Sequence, residues 1–540
     1  MAGADANSPI SALAHFALTA LAIALAWAWL GAPVQLAPSP LAAGGKLSCI
    51  SYAPFRDGQD PLVPGTMVSA EQIEEDLALL SHYTDCIRTY SNANGLAQIP
   101  AIARRHGLKM LMGLWLANNP PFNRQQIATA IELAKAYPDV ISAVVVGNEV
   151  LLRGEMSVND LRAIIREVKS QVSMPVTYAD VWEFWLRYSD LQNDVDFVTI
   201  HILPYWEDFP LPASAAAAHV DDIRKKVVDA IPNKEIVIGE IGWPSAGRMR
   251  EAARPSLSNQ ARVITETLDL AKRENFRVNV IEAFDQSWKR ALEGSTGRYW
   301  GIFDRATQAP KFSFSGFVSN HPDWPRQAAA GIAVAICTFV GAWLFGRGKG
   351  AASYLWSRIA VIAFLPAVLF GWTLETVPVD SIGIGGWVRM LAYAAVVAVA
   401  PIVCAIACAN GRPRPAFAAL LAASPERRAD LVDLALGLVF IALTLLSIET
   451  ALGLVFDPRY RDIPFAPQSG AVFAYLVLML SVPRPAGFRP AAETLAAAVL
   501  AVCAVYVAIN ETLANWQALW LSFGLLGLAV ALMRTRDAPG

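Results

Sequence analysis

Two short stretches of this chain place carboxylates where carboxylates are costly. Val144 to Glu149 reads Val-Val-Val-Gly-Asn-Glu, and Ile236 to Ser245 reads Ile-Val-Ile-Gly-Glu-Ile-Gly-Trp-Pro-Ser. Each is a run of β-branched residues suited to a fully buried parallel strand, and each ends on an acid, Glu149 or Glu240, with loop chemistry directly after it. A carboxylate at the end of a buried strand is tolerated where it is paired or used. Two of them in one domain point to an acid and a nucleophile on either side of a scissile bond. The two roles need opposite protonation: one acid has to deliver a proton and the other has to attack without one.

These side chains need a frame. Between Lys46 and Asn320 short strand-like runs alternate with helical patterns, which is the signature of repeated βα units. The strand candidates are Leu47–Ala53, Cys86–Tyr90, Lys109–Leu116, Ala143–Glu149, Val176–Ala179, Phe197–Ile202, Glu235–Glu240 and Val278–Phe284. Helical stretches at Ser69–Ser81, Arg124–Ala136, Val158–Val172, His219–Ala230 and Ser258–Glu274 separate them, with Ser69 and Gln72 spaced as a capping box. Eight such units over residues 46–325 predict an α/β fold, a (β/α)8 TIM barrel, whose active site lies at the C-terminal ends of the strands. Glu149 then ends the fourth strand and Glu240 the seventh, facing each other across one mouth.

The four motifs Val146–Glu149 (Val-Gly-Asn-Glu), Gly239–Ser245 (Gly-Glu-Ile-Gly-Trp-Pro-Ser), Glu282–Lys289 (Glu-Ala-Phe-Asp-Gln-Ser-Trp-Lys) and Tyr299–Asp304 (Tyr-Trp-Gly-Ile-Phe-Asp) occur in order at strand ends. In these the chain resembles glycoside hydrolase family 17, the β-1,3-glucanases and β-1,3-glucanosyltransferases. The resemblance implies that Glu149 is the general acid/base, Glu240 the nucleophile, and the mechanism a retaining double displacement on β-1,3-glucan or laminari-oligosaccharides. It also implies that Asn148 holds the sugar 2-hydroxyl, that Tyr205 hydrogen-bonds the nucleophile, and that Arg88, Lys289 and Glu293 are polar cleft residues.

Aromatics at strand ends and in the following loops, Tyr52, Tyr90, Trp115, Trp182, Trp206, Trp243, Trp288 and Trp300, suggest stacking surfaces for pyranose rings. Trp243 and Trp288 are the leading candidates. No metal or other cofactor is expected, because neither the cysteines nor the histidines show metal-site spacing.

The remainder of the 540 residues is far more apolar, and the 55% hydrophobic and 17% charged composition of the whole chain is too apolar for a wholly soluble protein. Ile10–Leu30 is long enough to span a bilayer, and its length favours a retained anchor over a cleaved signal peptide, so residues 1–45 read as anchor and linker. Residues 326–540 read as an all-α polytopic transmembrane domain. Its seven apolar runs are Ala328–Phe345, Leu355–Trp372, Trp387–Ala409, Leu431–Val455, the short Ala471–Val482, Ala491–Ile509 and Trp516–Met533. Arg347 and Lys349, then Arg412, Arg414, Arg427 and Arg428, then Arg484 and Arg489, then Arg534 and Arg536 fall on alternate sides of these runs. By the positive-inside rule those loops are cytoplasmic and the barrel lies outside. The loop Asp457–Phe465 is read either as a surface that touches glucan or the barrel, or as an interfacial anchor. Arg358 and Glu449, within or near the spans, are expected to reach an interface.

The net charge of −2 gives no sign of nucleic-acid binding. Cys49 and Cys86 fall in the exported domain, where a disulfide is chemically permitted; both are read as buried cysteines in adjacent strands, since spacing alone establishes no disulfide geometry. Similarity to bacterial membrane-anchored chains implies an inner-membrane protein with a periplasmic barrel in periplasmic or cyclic β-glucan synthesis, with a membrane glucan synthase as partner. The alternatives are an endo-1,3-β-glucanase, or a non-catalytic glucan-binding or transport scaffold.

Overall fold

A computed structural model describes residues 9–42, 45–346, 354–421, 431–483 and 487–536. The chain divides into two compact units. One comprises Val34–Ala246 and Ala252–Val318; the other comprises Met1–Pro33, Gly247–Glu251 and Ser319–Gly540.

The first unit is built on eight strands: β1 (Ile50–Ser51), β2 (Cys86–Arg88), β3 (Lys109–Leu114), β4 (Ile141–Asn148), β5 (Val176–Val181), β6 (Val198–His201), β7 (Ile236–Ile241) and β8 (Val278–Val280). They close into one parallel barrel in sequence order, β8 pairing back onto β1 through Val280 and Ile50. All eight sequence-predicted strands are present. In β4 and β7 nearly every side chain is buried, Ser142 being the exception, because the strands face packed residues inside the barrel and helices outside it.

The helices between them bury one stripe each. In Val158–Lys169 that stripe is Leu161, Ile165 and Val168, and Ser157 caps the start by accepting from the Asp160 N–H at 3.2 Å. Two short helices, Ile99–Arg105 and Trp182–Arg187, carry too few turns to show a periodicity in the sequence.

At Ser69 only half of the expected capping box forms. Ser69 accepts from the Gln72 N–H, but the Gln72 side chain turns away to donate to the Pro54 carbonyl at 2.6 Å. The cysteine reading is also corrected: Cys49 and Cys86 are joined by a disulfide. Cys49 precedes β1 and Cys86 opens β2, and the pairing of these adjacent strands brings the Cα atoms to 4.3 Å.

The second unit is helical. Its long elements are α1 (Pro9–Leu30), α2 (Trp324–Phe345), α3 (Leu355–Asp380), α4 (Gly383–Ala409), α5 (Leu431–Phe456), α6 (Phe465–Ser481), α7 (Ala491–Asn510) and α8 (Trp516–Met533). Seven are long and apolar enough to cross a membrane; α6, at 17 residues, is the shorter apolar helix foreshadowed by Ala471–Val482. Small residues let the backbones approach: a Cβ on Gly331 of α2 would stand 2.4 Å from the Ala367 carbonyl of α3.

Gly247–Glu251, from the loop after β7, belongs to this unit. There buried Arg248 pairs with Glu511 and donates to the Arg461 carbonyl at 2.8 Å, so the Asp457–Phe465 loop carries a structural contact within the unit. Glu449 lies within reach of Arg389 at 3.7 Å and Arg461 at 3.5 Å, and Arg358 donates to the Ser481 carbonyl at 3.4 Å. Arg347, Lys349, Arg427, Arg428 and Arg484 lie outside the described residues.

Candidate active site

The chain reaches the barrel mouth at Glu149 through a distortion of β4. The β4–β5 register shifts between Val145 and Asn148, and Gly147 adopts φ +84°, where a Cβ would stand 2.8 Å from Val150. Glu149 itself takes φ +53°, a left-handed conformation that costs a non-glycine residue about 1 kcal/mol or more and persists where its surroundings over-determine it. Those surroundings are present. The Glu149 N–H donates to the Ala179 carbonyl at 2.8 Å, and the Leu151 N–H donates to the Tyr178 hydroxyl at 3.0 Å. Arg153 lies over the Trp115 ring and donates to the carbonyls of Asn148 and of Leu116.

Glu240 sits within β7 and is 4% exposed. Arg88, at the end of β2 and 1% exposed, binds it: Nη1 donates to Glu240 Oε1 at 2.7 Å, while Nη2 donates to Asn148 Oδ1 at 2.6 Å. The Tyr90 hydroxyl donates to the same Glu240 oxygen at 2.8 Å and also lies 2.8 Å from Ser51 Oγ. Burial pushes the Glu240 carboxyl up; His201 when it carries charge, Arg88 and Lys289, together with the Tyr90 hydrogen bond, pull it down further, so it lies below its ordinary value of 4.5. The group is held ionised.

His201, the last residue of β6, stands between the two acids. Its Nδ1 is 2.7 Å from Glu149 Oε1 and its Nε2 is 3.6 Å from Glu240 Oε1. Arg88 Nη2, always a donor, faces Nε2 at 3.3 Å, so the neutral ring carries its proton on Nδ1 and donates it to Glu149. Ligand-type atoms of Glu149, His201 and Glu240 all lie within 4.8 Å of one another. A cation is a poor fit for that trio, because the Arg88 guanidinium already occupies the Glu240 oxygen.

A second set of charges borders the first. Lys289 Nζ donates to Glu282 Oε1 at 2.9 Å, just beyond β8. Burial pushes Glu282 up to about 7 against the attraction of Lys289, and burial does the same to Glu293, also to about 7. Asp180 of β5 is pushed up to about 6, first by burial.

The structure brings together Glu149, Glu240, Asn148, Arg88 and Tyr90 by direct hydrogen bonds or close approach, and Lys289 and Glu293 act on Glu240 electrostatically. Tyr205 is fully buried, edge-on to Trp206, Trp243 and Trp300. Three aromatics proposed as sugar platforms lie in the wall instead. Trp243 is 0% exposed and donates to the Arg254 carbonyl at 2.9 Å, Trp300 is 2% exposed, and Tyr52 is 1% exposed and donates to Asp76. Asp76 is in turn held by Arg305 at 3.0 Å, so Tyr52 serves a buried ion pair. Trp115, Trp182, Trp206 and Trp288 remain half-exposed.

His201 and Glu282 are site residues that the sequence reading did not single out. Glu282 falls inside the expected strand Val278–Phe284, whereas the observed strand ends at Val280 and leaves this acid just beyond it. His201 carries none beyond its position at a strand end.

Residues 49–301 match the model of the BtgE/BtgC glycoside hydrolase domain. This part of the chain is similar to that domain. It is 25% identical over 262 residues to a glucan 1,3-beta-glucosidase of Saccharomyces cerevisiae, covering 44% of this chain and 83% of the yeast protein. It is 29% identical over 278 residues to a probable beta-glucosidase btgE of Aspergillus flavus, covering 49% of this chain and 44% of the Aspergillus protein. The glycoside hydrolase domain thus spans less than half the length of that Aspergillus relative. Among solved structures, a glycoside hydrolase family 17 beta-1,3-glucanosyltransferase from Rhizomucor miehei aligns with 50% of this chain and 97% of its own, at 22% identity and a TM-score of 0.44.

Proposed function

We propose that this protein is a membrane-embedded retaining β-1,3-glucanosyltransferase. The observation that carries the reading is the pairing of Glu149 and Glu240 with oxygens within 4.8 Å, one carboxylate fixed by Arg88 and Tyr90 and the other by His201. Retaining glycosidases hold their carboxyl groups about 5–5.5 Å apart, whereas inverting ones need about 6.5–9.5 Å to admit water. The short separation supports retention.

In the first step Glu240 attacks the anomeric carbon of a bound β-1,3-glucan, the C1–O bond breaks, and Glu149 gives its proton to the departing oxygen. The product is a glycosyl ester on Glu240. In the second step Glu149, now a carboxylate, takes the proton of an acceptor hydroxyl as that oxygen attacks C1 and the ester breaks. His201 holds Oε1 of Glu149 and leaves its other oxygen free to exchange the proton. Because Asn148 Oδ1 accepts from Arg88, its amide nitrogen is free to donate to the sugar 2-hydroxyl. Trp288, Lys289 and Glu293 are proposed substrate-binding residues, and buried Tyr205 is proposed as a partner of the nucleophile, with no contribution from a metal.

Anchoring by the helices supports work on a glucan made or exported at the same membrane, with the barrel on the side opposite the arginine-rich loops. That is the periplasmic face of a bacterial inner membrane, beside a glucan synthase. Hydrolysis is the second reading, favoured by the names of the yeast and Aspergillus relatives. Product analysis of the purified chain on laminari-oligosaccharides separates the two: transfer gives products longer than the substrate, and hydrolysis gives only shorter ones at every substrate concentration.

A further inference from the structure

The helical unit holds a small cleft at the C-terminal ends of α6 and α8, beside the segment that follows α4. Its polar lining is Arg414, Arg534 and Thr535, and its apolar lining includes Leu478, Met479 and Val482. Arginines near helix C-termini ordinarily cap exposed carbonyls, and part of this set does so: Arg534 Nη2 donates to the Met479 carbonyl at 3.4 Å.

Capping leaves Arg414 unexplained. Its side chain is 4% exposed and lies over the Phe440 ring at 3.9 Å, and Nη1 donates to the Pro415 carbonyl at 2.9 Å. Among the described residues Nε and Nη2 have no hydrogen-bond partner, and neither does Oγ1 of Thr535, which is 3% exposed. Glu493 is the nearby opposing charge, but its Oε1 accepts from the Phe417 N–H at 2.7 Å and it makes no ion pair with Arg414 among the described residues. A buried guanidinium with two idle nitrogens is costly unless an anion completes it. Two fixed cations and a hydroxyl against an apolar wall describe a phosphoryl group joined to an apolar tail.

We propose that this cleft binds the phosphate head group of an anionic lipid, with the acyl chain along Met479 and Val482. The inference rests on the membrane reading given above. A chain that stays soluble and monodisperse without detergent would remove that reading, whereas the lipid experiment below removes the cleft alone.

The test is native mass spectrometry of the full chain in detergent, with dioleoylphosphatidylglycerol, dioleoylglycerol or inorganic phosphate added. One retained phosphatidylglycerol per chain is expected, with no dioleoylglycerol adduct and with phosphate binding at least about tenfold weaker. Arg414→Gln should weaken lipid retention about tenfold or more, the scale of charge-assisted hydrogen bonds. Met479→Trp, at a half-exposed lining position, fills the cleft with both arginines in place and should do the same while glucan cleavage persists. Unchanged retention in Met479→Trp would overturn the proposal. So would inorganic phosphate that displaces the lipid at equal concentration, which would make this a free-phosphate site.

Discussion

His201 Nδ1 lies 2.7 Å from Glu149 Oε1, joining the end of β6 to the residue that follows β4. If this bond aims the acid, its loss should harm protonation of the leaving group more than binding. His201→Ala should lower kcat on laminari-oligosaccharides roughly tenfold to a hundredfold with little change in KM, and slow the cleavage of an activated aryl glycoside much less. Equal losses on both substrates, or a change confined to KM, would argue against an orienting role.

Arg88 spans Glu240 and Asn148 with separate nitrogens, a geometry that the single ammonium of lysine does not reproduce. Arg88→Lys keeps the buried charge, so the fold should persist, but kcat/KM should fall roughly tenfold to a hundredfold. Arg88→Met leaves Glu240 buried and uncompensated and should cost about 3–5 kcal/mol of stability, read as a lower midpoint of thermal unfolding. A fully active Arg88→Lys enzyme would show that the fork is not needed.

The acids of this site pull stability in opposite directions with pH. Glu282 and Glu293 rise to about 7 in the fold from an ordinary 4.5, so the folded state binds more protons between those values and their contribution falls as pH rises from about 4.5 to 7. Glu240 lies below 4.5, so its contribution is present above that value and is lost as pH falls through its lowered pKa. Thermal unfolding of Glu282→Gln should therefore decline less between pH 5 and 7 than that of the parent. A parallel decline would contradict the assignment.

Much of the barrel was legible because its strands are continuous apolar runs and its chemistry sits where those runs end. Glu149 and Glu240 stood out on that ground, whereas Glu282 was hidden because the apolar run Val278–Phe284 extends past the point where the strand ends at Val280. His201 was hidden because its meaning lies in β2 and β4, far away in sequence; a histidine judged only by metal spacing looks idle. The aromatics failed differently. Trp243, Trp300 and Tyr52 have the residue type of sugar platforms, but which side of a loop meets solvent depends on packing against Tyr205 and on the Asp76–Arg305 pair. Pairing of Cys49 with Cys86 depends on how the two side chains face each other across adjacent strands, which spacing does not carry.

Membrane orientation is checked by reporter fusions. With α6 counted as a span, a fusion after Ser319 should be active only with a periplasmic reporter and one after Met533 only with a cytoplasmic reporter. A periplasmic signal after Met533 would mean that the 17 residues of α6 do not cross.

The central claim is that Glu240 forms a covalent glycosyl ester, and trapping that ester tests it most directly. Incubation with a 2-deoxy-2-fluoro-laminaribiosyl fluoride, which forms the ester faster than it is hydrolysed, followed by peptide mass spectrometry, should place one sugar on the peptide that contains Gly239-Glu240-Ile241, and Glu240→Gln should take up none. A label on Glu282, Glu293 or Glu149, or no label in an enzyme that turns over glucan, would contradict the account.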